Sequence, residues 1–391
     1  MCQMNKPPLL SDDTEIINSE IRLFDVIQRI SKEPRVGFDL ETDNYFRYPE
    51  HISLIQVSVP GHLYIIDPLI IDDVTPLGHL LADEKIEKIF HSADYDVRSL
   101  DREWGFRMCN LFDTSIGAAF VGLGKLGLAA VVKDTLQVTL IKNPKLQRQD
   151  WSQRPLNNRS LNYAFDDVRH LLTLREALED QLQQLGRVAW VKEECRRLTF
   201  IRYNKPDNEN SFLSIKGNRS LDGRGLAILK TIVAFREKEA LRLGRPPFRI
   251  IPNMALLEIA ATPDVQLNSM KGLGRYTRPP LLDQLQEAIR EGMRVEPLTR
   301  SQLKRQDTRR SSRAQGSSYS RRLKGLKEWR SLQGNKFGLD PALLWPATSL
   351  ERLAVTPDSF SDELVSSDVR QWQLEEFGDS LRIELGKVRS L

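Results

Sequence analysis

Cysteine is scarce and scattered in this sequence. The 391 residues include only three cysteines, Cys2, Cys109 and Cys195. An odd number at wide spacing makes neither a disulfide framework nor the paired ligands of a zinc site. We therefore predict a protein of a reducing compartment and place it in the cytoplasm.

Long apolar runs are also missing. No stretch of the sequence approaches the ~20 apolar residues that a membrane-spanning helix needs. The first residues, MCQMNKPPLLSDDTE, have neither a basic start nor an apolar core, so we expect no signal peptide. The sequence therefore predicts no membrane partner.

A large excess of charge of one sign is absent as well. The 57 Lys and Arg residues against 53 Asp and Glu residues give a net charge of only +4. Any surface for nucleic acid must therefore come from local clustering. The segment 298–327 is such a cluster, with ten basic residues and one acid, Asp307. A basic tether of this kind can hold a phosphate backbone without sequence preference. Its predicted nucleic-acid contacts are Arg305, Arg309, Arg310 and Arg313.

Strand-like and helix-like segments alternate over residues 14–180. Apolar residues at helical spacing predict helices, and short apolar runs bounded by turn signals predict strands. The predicted strands are 36–42, 52–59, 62–67 and 85–90, and the predicted helices are 19–33, 94–104, 113–122 and 160–172. This mixture favours an α/β domain whose sheet is covered by helices.

The C-terminal half contains an internal repeat. Residues 181–293 are almost wholly helical in pattern, and residues 229–264 match residues 323–358 when shifted by 94 positions. Eleven of the 36 aligned positions are identical, including Arg236 with Arg330. Because a solenoid needs three or more units, two copies predict two small helical domains.

The stretch VGFDLETD, residues 36–43, places acids on a strand that is otherwise apolar. Asp39 and Glu41 are two residues apart, so their side chains point to the same face of the strand. Adjacent carboxylates on a buried strand repel each other and resist desolvation. A bound cation would offset both costs.

Two later segments add residues that could join this pair. Asp96 lies in the first turns of the predicted helix 94–104, and Tyr163 and Asp167, four residues apart, share one helix face. We predict that the four acids converge at one sheet edge. Oxygen-only ligands favour Mg²⁺ or Mn²⁺ over zinc. Two such ions ~3.5–4 Å apart suit in-line phosphoryl displacement, with Tyr163 orienting or helping to deprotonate the attacking water.

The pattern Asp-x-Glu, then Asp, then Tyr-x-x-x-Asp resembles that of the DEDD exonucleases of the tyrosine subgroup. The stretches FDLETD, HSADYD and NYAFDDVRHLL are similar to the three motifs of ribonuclease D, and QDWSQRPL before the third is similar as well. Residues 220–293 resemble a helicase-and-ribonuclease-D C-terminal (HRDC) domain, and residues 320–388 resemble a second, diverged copy.

The resemblance implies a fold and an activity. The fold is a ribonuclease H-like α/β exonuclease domain, with a mixed sheet flanked by helices, followed by two small all-α HRDC-like domains. The implied ranges are 1–205 for the exonuclease domain, 210–295 and 320–391 for the HRDC-like domains, and 296–319 for a basic linker. The implied activity is a 3′→5′ exoribonuclease that releases 5′-mononucleotides from tRNA precursors and other small structured RNAs.

The two HRDC-like copies differ in charge. In the first, Lys271, Arg275 and Arg278 surround a glycine-containing turn, which predicts RNA contact unless the turn only joins two helices. In the second, residues 351–384 carry nine acids against three bases. We therefore expect the second copy to be a packing or positioning module rather than an RNA binder.

Two other functions are compatible with the sequence. The same carboxylates serve DNA 3′→5′ exonucleases, and the sequence contains no direct reader of the RNA 2′-hydroxyl. A catalytically inactive nucleic-acid-binding scaffold is the second alternative. The loss of any one of the four acids would favour that alternative, and all four are present.

Overall fold

The computed structural model describes residues 13–141, 143–205, 207, 209–299 and 317–389. The predicted contacts Arg305, Arg309, Arg310 and Arg313 lie outside the described residues and stay predictions. None of the helices in the described ranges combines the length and the apolar composition that a membrane crossing requires.

A six-stranded mixed sheet forms the centre of the N-terminal region. Its strands are β1 (Thr14–Ile17), β2 (Arg35–Thr42), β3 (Ile52–Val59), β4 (His62–Ile66), β5 (Glu87–Phe90) and β6 (Leu111–Asp113). The order across the sheet is β1-β4-β3-β2-β5-β6. β1 is parallel to β4, β3 is antiparallel to β4, and β5 is parallel to both β2 and β6. The strand with the paired acids, β2, is therefore an interior strand.

Helices flank the sheet, which confirms the predicted α/β fold. They are α1 (Glu20–Ile30), α2 (Thr75–Ala82), α3 (Asp94–Trp104), α4 (Thr114–Val121), α5 (Leu128–Leu136), α6 (Pro144–Gln147), α7 (Asn158–Arg169), α8 (Leu171–Gln184) and α9 (Val188–Thr199). The sequence predicts one helix over 160–172, whereas the structure has two that meet at His170. The helix is interrupted at His170, where φ is −105° and ψ is 0°, and α7 packs on β3 and β4, whereas α8 packs against α4.

The described residues form two compact units. Residues 13–41, 52–203 and 317–389 belong to the first, and residues 42–51 and 204–299 belong to the second. The sheet and the second helical copy therefore share a unit. The first helical copy forms a unit with the loop between β2 and β3. The domain ranges predicted from the sequence stay predictions.

The two helical copies repeat the same elements 94 residues apart. The first contains α10 (Gly223–Leu243), α11 (Pro247–Ile250), α12 (Asn253–Ala261) and α13 (Leu281–Arg294), and the second contains α14 (Ser317–Phe337), α15 (Pro341–Leu344), α16 (Ala347–Val355), α17 (Phe360–Glu363) and α18 (Gln371–Val388). The first three helices of each copy begin and end at equivalent positions. Arg236 donates to the carbonyl of Ile251 at 3.1 Å, and the equivalent Arg330 donates to that of Trp345 at 3.0 Å. These matches confirm the internal repeat.

The second copy packs against helices that cover the sheet. The indole of Trp372 stacks on that of Trp190, with 4.7 Å between the ring centroids. Arg187 donates to the carbonyl oxygens of Phe120 at 2.7 Å and Phe337 at 2.6 Å, and so joins residues on both sides of this contact.

Two adjacent acids of α9 fix the start of α18. Glu193 accepts hydrogen bonds from the backbone N–H groups of Gln371 at 2.8 Å and Trp372 at 3.0 Å. Glu194 pairs with Arg370 at 2.9 Å. The first N–H groups of a helix have no partner within that helix, so Glu193 satisfies two of them. These contacts show that the second copy packs on α9, as predicted, and the expectation that it does not bind RNA stays a prediction.

Candidate active site

The paired acids lie on β2, on the face opposite the core residues Val36 and Phe38. Asp39 and Glu41 share that face with Gly37, where an added Cβ would lie 2.3 Å from the hydroxyl oxygen of a neighbouring serine. Glycine at this position lets neighbouring elements approach the strand closely. The strand is thereby fixed on both faces, and the two carboxyl groups are presented from a rigid element.

Helix α7 brings a third acid to this face. Oxygens of Asp39, Glu41 and Asp167 all lie within 4.8 Å of one another. The helix starts at the cap residue Asn157, whose side chain accepts from the N–H of Ser160 at 3.0 Å. The apolar face of the helix is buried against the sheet. The face that carries residues 163 and 167 therefore points toward the acids of β2.

The segment before α7 supports Tyr163. The ring of the buried Trp151 lies 6.1 Å from that of Tyr163, centroid to centroid. Arg154 ties this segment to the sheet, because it donates to the carboxylate of Asp67 at 2.7 Å and to the carbonyl of Ser53 at 2.8 Å. In the sequence, QDWSQRPL is only a point of resemblance. In the structure, this segment contacts the ring of Tyr163 and is hydrogen bonded to the sheet region through Arg154.

The fourth predicted acid, Asp96, lies outside the 4.8 Å group but is buried in the first turn of α3. The start of α3 is held by Asp113, which accepts from the N–H groups of Ser92 at 2.9 Å and Ala93 at 2.8 Å. Ser92 has a φ of 65°, a strained value for a residue with a side chain, and the two bonds hold the turn in place. Asp113 thus positions the helix that carries Asp96.

Sequence reasoning missed Asp113. The residue looks like an ordinary N-cap, and it does cap α4, accepting from the N–H of Ser115 at 2.8 Å. No sequence pattern marks its second role, because that role depends on which strands are neighbours in the sheet. Asp113 pairs with Phe90 at the ends of the parallel strands β6 and β5, so it necessarily faces the turn that follows β5.

Burial and crowding raise the pKa of every acid in the site. Burial raises the pKa of Asp39 to about 7. The pKa values of Glu41, Asp96 and Asp167 are well above their usual range, first because of burial and then because other carboxylates are near. Burial, with Asp167 and Glu41 adding to it, also raises the pKa of Tyr163, so its hydroxyl keeps its proton at neutral pH.

The donor atoms fit a hard divalent cation. In the described ranges, the close group consists of carboxylate oxygens from Asp39, Glu41 and Asp167, with no histidine or cysteine in it. Oxygen donors suit Mg²⁺, Mn²⁺ and Ca²⁺, whereas zinc prefers nitrogen and sulfur. A cation would also displace the protons that the raised pKa values retain, so metal binding is coupled to proton release.

The predicted RNA contacts of the first helical copy lie on its surface. Lys271, Arg275 and Arg278 are all exposed, next to the short helical turn Gly274–Thr277. Exposure makes the three side chains available to a ligand, and their role in RNA binding stays a prediction. The same holds for the catalytic roles predicted for the four acids and Tyr163.

Comparison with known proteins identifies the family. A 3′-5′ exonuclease family model matches residues 14–183. The chain is 30% identical over 348 residues to ribonuclease D of Desulfotalea psychrophila, covering 87% of this chain and 90% of that one. It is 33% identical over 290 residues to ribonuclease D of Zymomonas mobilis, covering 72% and 73% of the two chains. The crystal structure of Escherichia coli RNase D, described as an exoribonuclease involved in structured RNA processing, shares the fold with a TM-score of 0.69 at 22% identity, over 95% of this chain and 98% of that one. The chain therefore belongs to the ribonuclease D family of 3′–5′ exoribonucleases.

Proposed function

We propose that this exoribonuclease uses two divalent ions, Mg²⁺ or Mn²⁺, to hydrolyse the 3′ ends of RNA to 5′-mononucleotides. The family depends on divalent metal. The observation that carries the proposal is the approach of the Asp39, Glu41 and Asp167 oxygens to within 4.8 Å of one another. Carboxylates held this closely on buried elements are costly without a cation between them.

The proposed role of each site residue depends on the element that carries it. Bound cations would supply Lewis acidity at the scissile phosphate and would lower the pKa of the attacking water. Asp39 and Glu41 would hold the cations from β2, Asp167 from α7, and Asp96 from α3. Because separate packed elements fix these side chains, little reorganisation is needed when substrate binds. Tyr163 keeps its proton, which favours orienting the water by a hydrogen bond over acting as its base.

We propose tRNA precursors and other small structured RNAs as the substrates. The similarity to ribonuclease D relatives supports this, and the Escherichia coli relative is described as acting in structured RNA processing. A cytoplasmic location stays part of the proposal. It rests on the cysteine usage, and both cysteines in the described ranges, Cys109 and Cys195, are free thiols.

Metal removal tests the proposal directly. EDTA should abolish RNA hydrolysis, and added Mg²⁺ or Mn²⁺ should restore it, because the cations would supply the Lewis acidity and the lowered pKa of the attacking water. Activity is measured as release of acid-soluble nucleotides over a titration of each metal. Equal activity in metal-free buffer would exclude the proposed chemistry. Zn²⁺ serves as a control that should restore activity poorly, since the close group lacks nitrogen and sulfur ligands.

Replacing Tyr163 with phenylalanine should lower turnover by about 10- to 100-fold with little change in RNA affinity. The hydroxyl acts on the attacking water, so its effect appears mainly in the transition state. Packing should be retained because the ring against Trp151 is unchanged. The measurement is kcat and KM on a short single-stranded RNA. A higher KM at unchanged kcat would show instead that Tyr163 contacts the bound substrate.

A further inference from the structure

An aromatic and basic surface lies outside the residues assigned so far. It consists of Tyr45 and Phe46 from the loop between β2 and β3 and of Phe248 and Arg249 from the first helical copy. We add Arg245, which is exposed and lies three residues before Phe248 in the sequence. Tyr45 and Phe248 meet edge to face, with ring centroids 6.3 Å apart. The guanidinium carbon of Arg249 lies 4.4 Å from the centroid of the Phe46 ring. We call these five residues the aromatic–arginine surface.

The two outer rings are exposed well beyond what core packing needs. Tyr45 has 43% and Phe248 has 50% of its surface open to solvent. Phe248 lies on the short helix α11, whose neighbouring Ile250 is the residue that enters the core. The exposed ring therefore does little for the stability of the first helical copy.

The loop is anchored by other contacts. The backbone N–H of Tyr48 donates to the carbonyl of Gly244 at 3.2 Å, and its hydroxyl is hydrogen bonded to Glu237. Asp43 closes the base of the loop by accepting from the N–H of His51 at 2.7 Å. These contacts hold the loop without Tyr45 and Phe248, so the exposed faces of the two rings are open to a ligand.

The second helical copy shows that the fold does not require this chemistry. Both copies share the bounds of their first three helices at an offset of 94 residues. At the positions equivalent to Arg245, Phe248 and Arg249, the second copy has the following residues: Leu339, Ala342 and Leu343. The same backbone therefore forms without the aromatic ring and without either arginine. The aromatic–arginine surface belongs to the first copy alone.

We propose that the aromatic–arginine surface binds single-stranded RNA, with bases stacked on Tyr45 and Phe248 and phosphates paired with Arg245 and Arg249. This inference rests on the proposed function, because it assigns the RNA a second point of attachment. Aromatic faces with neighbouring arginines bind single strands without sequence preference, since every base has a face to stack.

Fluorescence anisotropy of the full chain with a labelled 12-nucleotide oligouridylate tests the proposal. EDTA is present throughout, so hydrolysis does not enter the measurement. Phe248→Ala should raise Kd by about 5- to 100-fold, the range expected for one lost stack, and Phe248→Trp should restore it. Arg249→Gln should reduce the slope of log Kd against log salt by roughly one unit.

A matched control is available elsewhere in the chain. Phe200 is 63% exposed and has the guanidinium carbon of Arg196 5.9 Å from its ring centroid. Phe200→Ala removes a similar ring beside an arginine outside the proposed surface. It should leave Kd within about twofold of the wild type. Thermal melts of each variant, required to lie within about 2 °C of the wild type, establish that loss of binding is not loss of fold.

Two results would overturn the proposal. One is a folded Phe248→Ala variant that binds the oligouridylate as tightly as the wild type, which would leave a protein partner as the occupant of the surface. The other comes from a separate assay with Mg²⁺: lower turnover of Phe248→Ala at saturating RNA, with Kd in EDTA unchanged, would show that Phe248 acts on turnover rather than on RNA binding. The proposed function fails in a different way, by absence of metal-dependent RNA hydrolysis, so the two failures are distinguishable.

Discussion

Replacing Asp39 with asparagine should remove nearly all RNA hydrolysis, by about 10³-fold or more. Several kcal/mol of charge stabilisation at the phosphate depend on correctly held cations, and each 1.36 kcal/mol is about tenfold in rate. Glu41→Gln, Asp96→Asn and Asp167→Asn should have effects of the same size. The measurement is turnover on single-stranded RNA at saturating Mg²⁺. An Asp96→Asn variant with wild-type turnover would show that Asp96 is not part of the site.

The same substitution should stabilise the protein when metal is absent. The pKa of Asp39 is raised to about 7 in the folded chain, from about 3.8 in the unfolded chain. The folded state thus holds this proton more tightly, so stability falls as pH rises from about 4 through about 7. Asp39→Asn removes that dependence and the repulsion from Glu41. In EDTA at pH 8 the Tm of Asp39→Asn should exceed that of the wild type by about 2–4 °C for each kcal/mol of repulsion that the substitution removes.

Melting curves in EDTA at pH 5 and pH 8 test whether the stability of the wild type falls as the pH rises. The wild type should lose more stability between the two values than Asp39→Asn does. Added Mg²⁺ should reverse the ranking, because a cation stabilises the wild type by binding the folded state. A variant that is less stable than the wild type in EDTA at pH 8 would mean that Asp39 forms a favourable contact rather than a repulsive one.

Trp372→Ala should lower the free energy of unfolding by about 3–5 kcal/mol, the cost of removing a buried tryptophan. The side chain is buried and stacks on Trp190 of α9, so its loss leaves a cavity where the second helical copy meets the helices over the sheet. For the same reason, a chain that ends before residue 317 should expose Trp190 and bind a hydrophobic dye. Urea denaturation of the full chain measures the effect.

Leu332→Ala is the control for this prediction. Leu332 is in the same helical copy but 67% exposed, and surface changes of this kind usually stay within about 0.5 kcal/mol. A Trp372→Ala variant that loses less than about 1 kcal/mol would contradict a stabilising role for the second copy. The acids of α9 that cap α18 would then be its main attachment.

The local geometry of the candidate site could be predicted from the sequence. A two-residue spacing puts Asp39 and Glu41 on one strand face, and a four-residue spacing puts Tyr163 and Asp167 on one helix face. The structure places Asp39, Glu41 and Asp167 together, whereas Asp96, which was predicted to join them, lies outside this close group. These relations depend only on the period of a strand or helix, so they can be predicted without knowledge of the tertiary fold.

Contacts between distant segments could not be predicted in this way. Asp113 supports the turn before α3 only because β5 and β6 are neighbours in the sheet. The acidic composition of the second copy predicted that it does not bind RNA. It did not predict the surface on which the copy packs, because that surface depends on single side chains such as Trp190 and Glu193. Neither residue has a sequence pattern that distinguishes it from an ordinary helix residue.

The most direct test of the central claim follows the fate of each end of one substrate. Wild type and Glu41→Gln are incubated with Mg²⁺ and a single-stranded RNA that carries a label in its 3′-terminal nucleotide or at its 5′ end. DNA of the same sequence is the control. We predict that the 3′ label appears as a 5′-mononucleotide from the first time point, that the 5′ label remains in a shortening ladder, that DNA is degraded far more slowly, and that Glu41→Gln is inactive. Early release of the 5′ label, internal cleavage, or faster hydrolysis of DNA than of RNA would contradict the account.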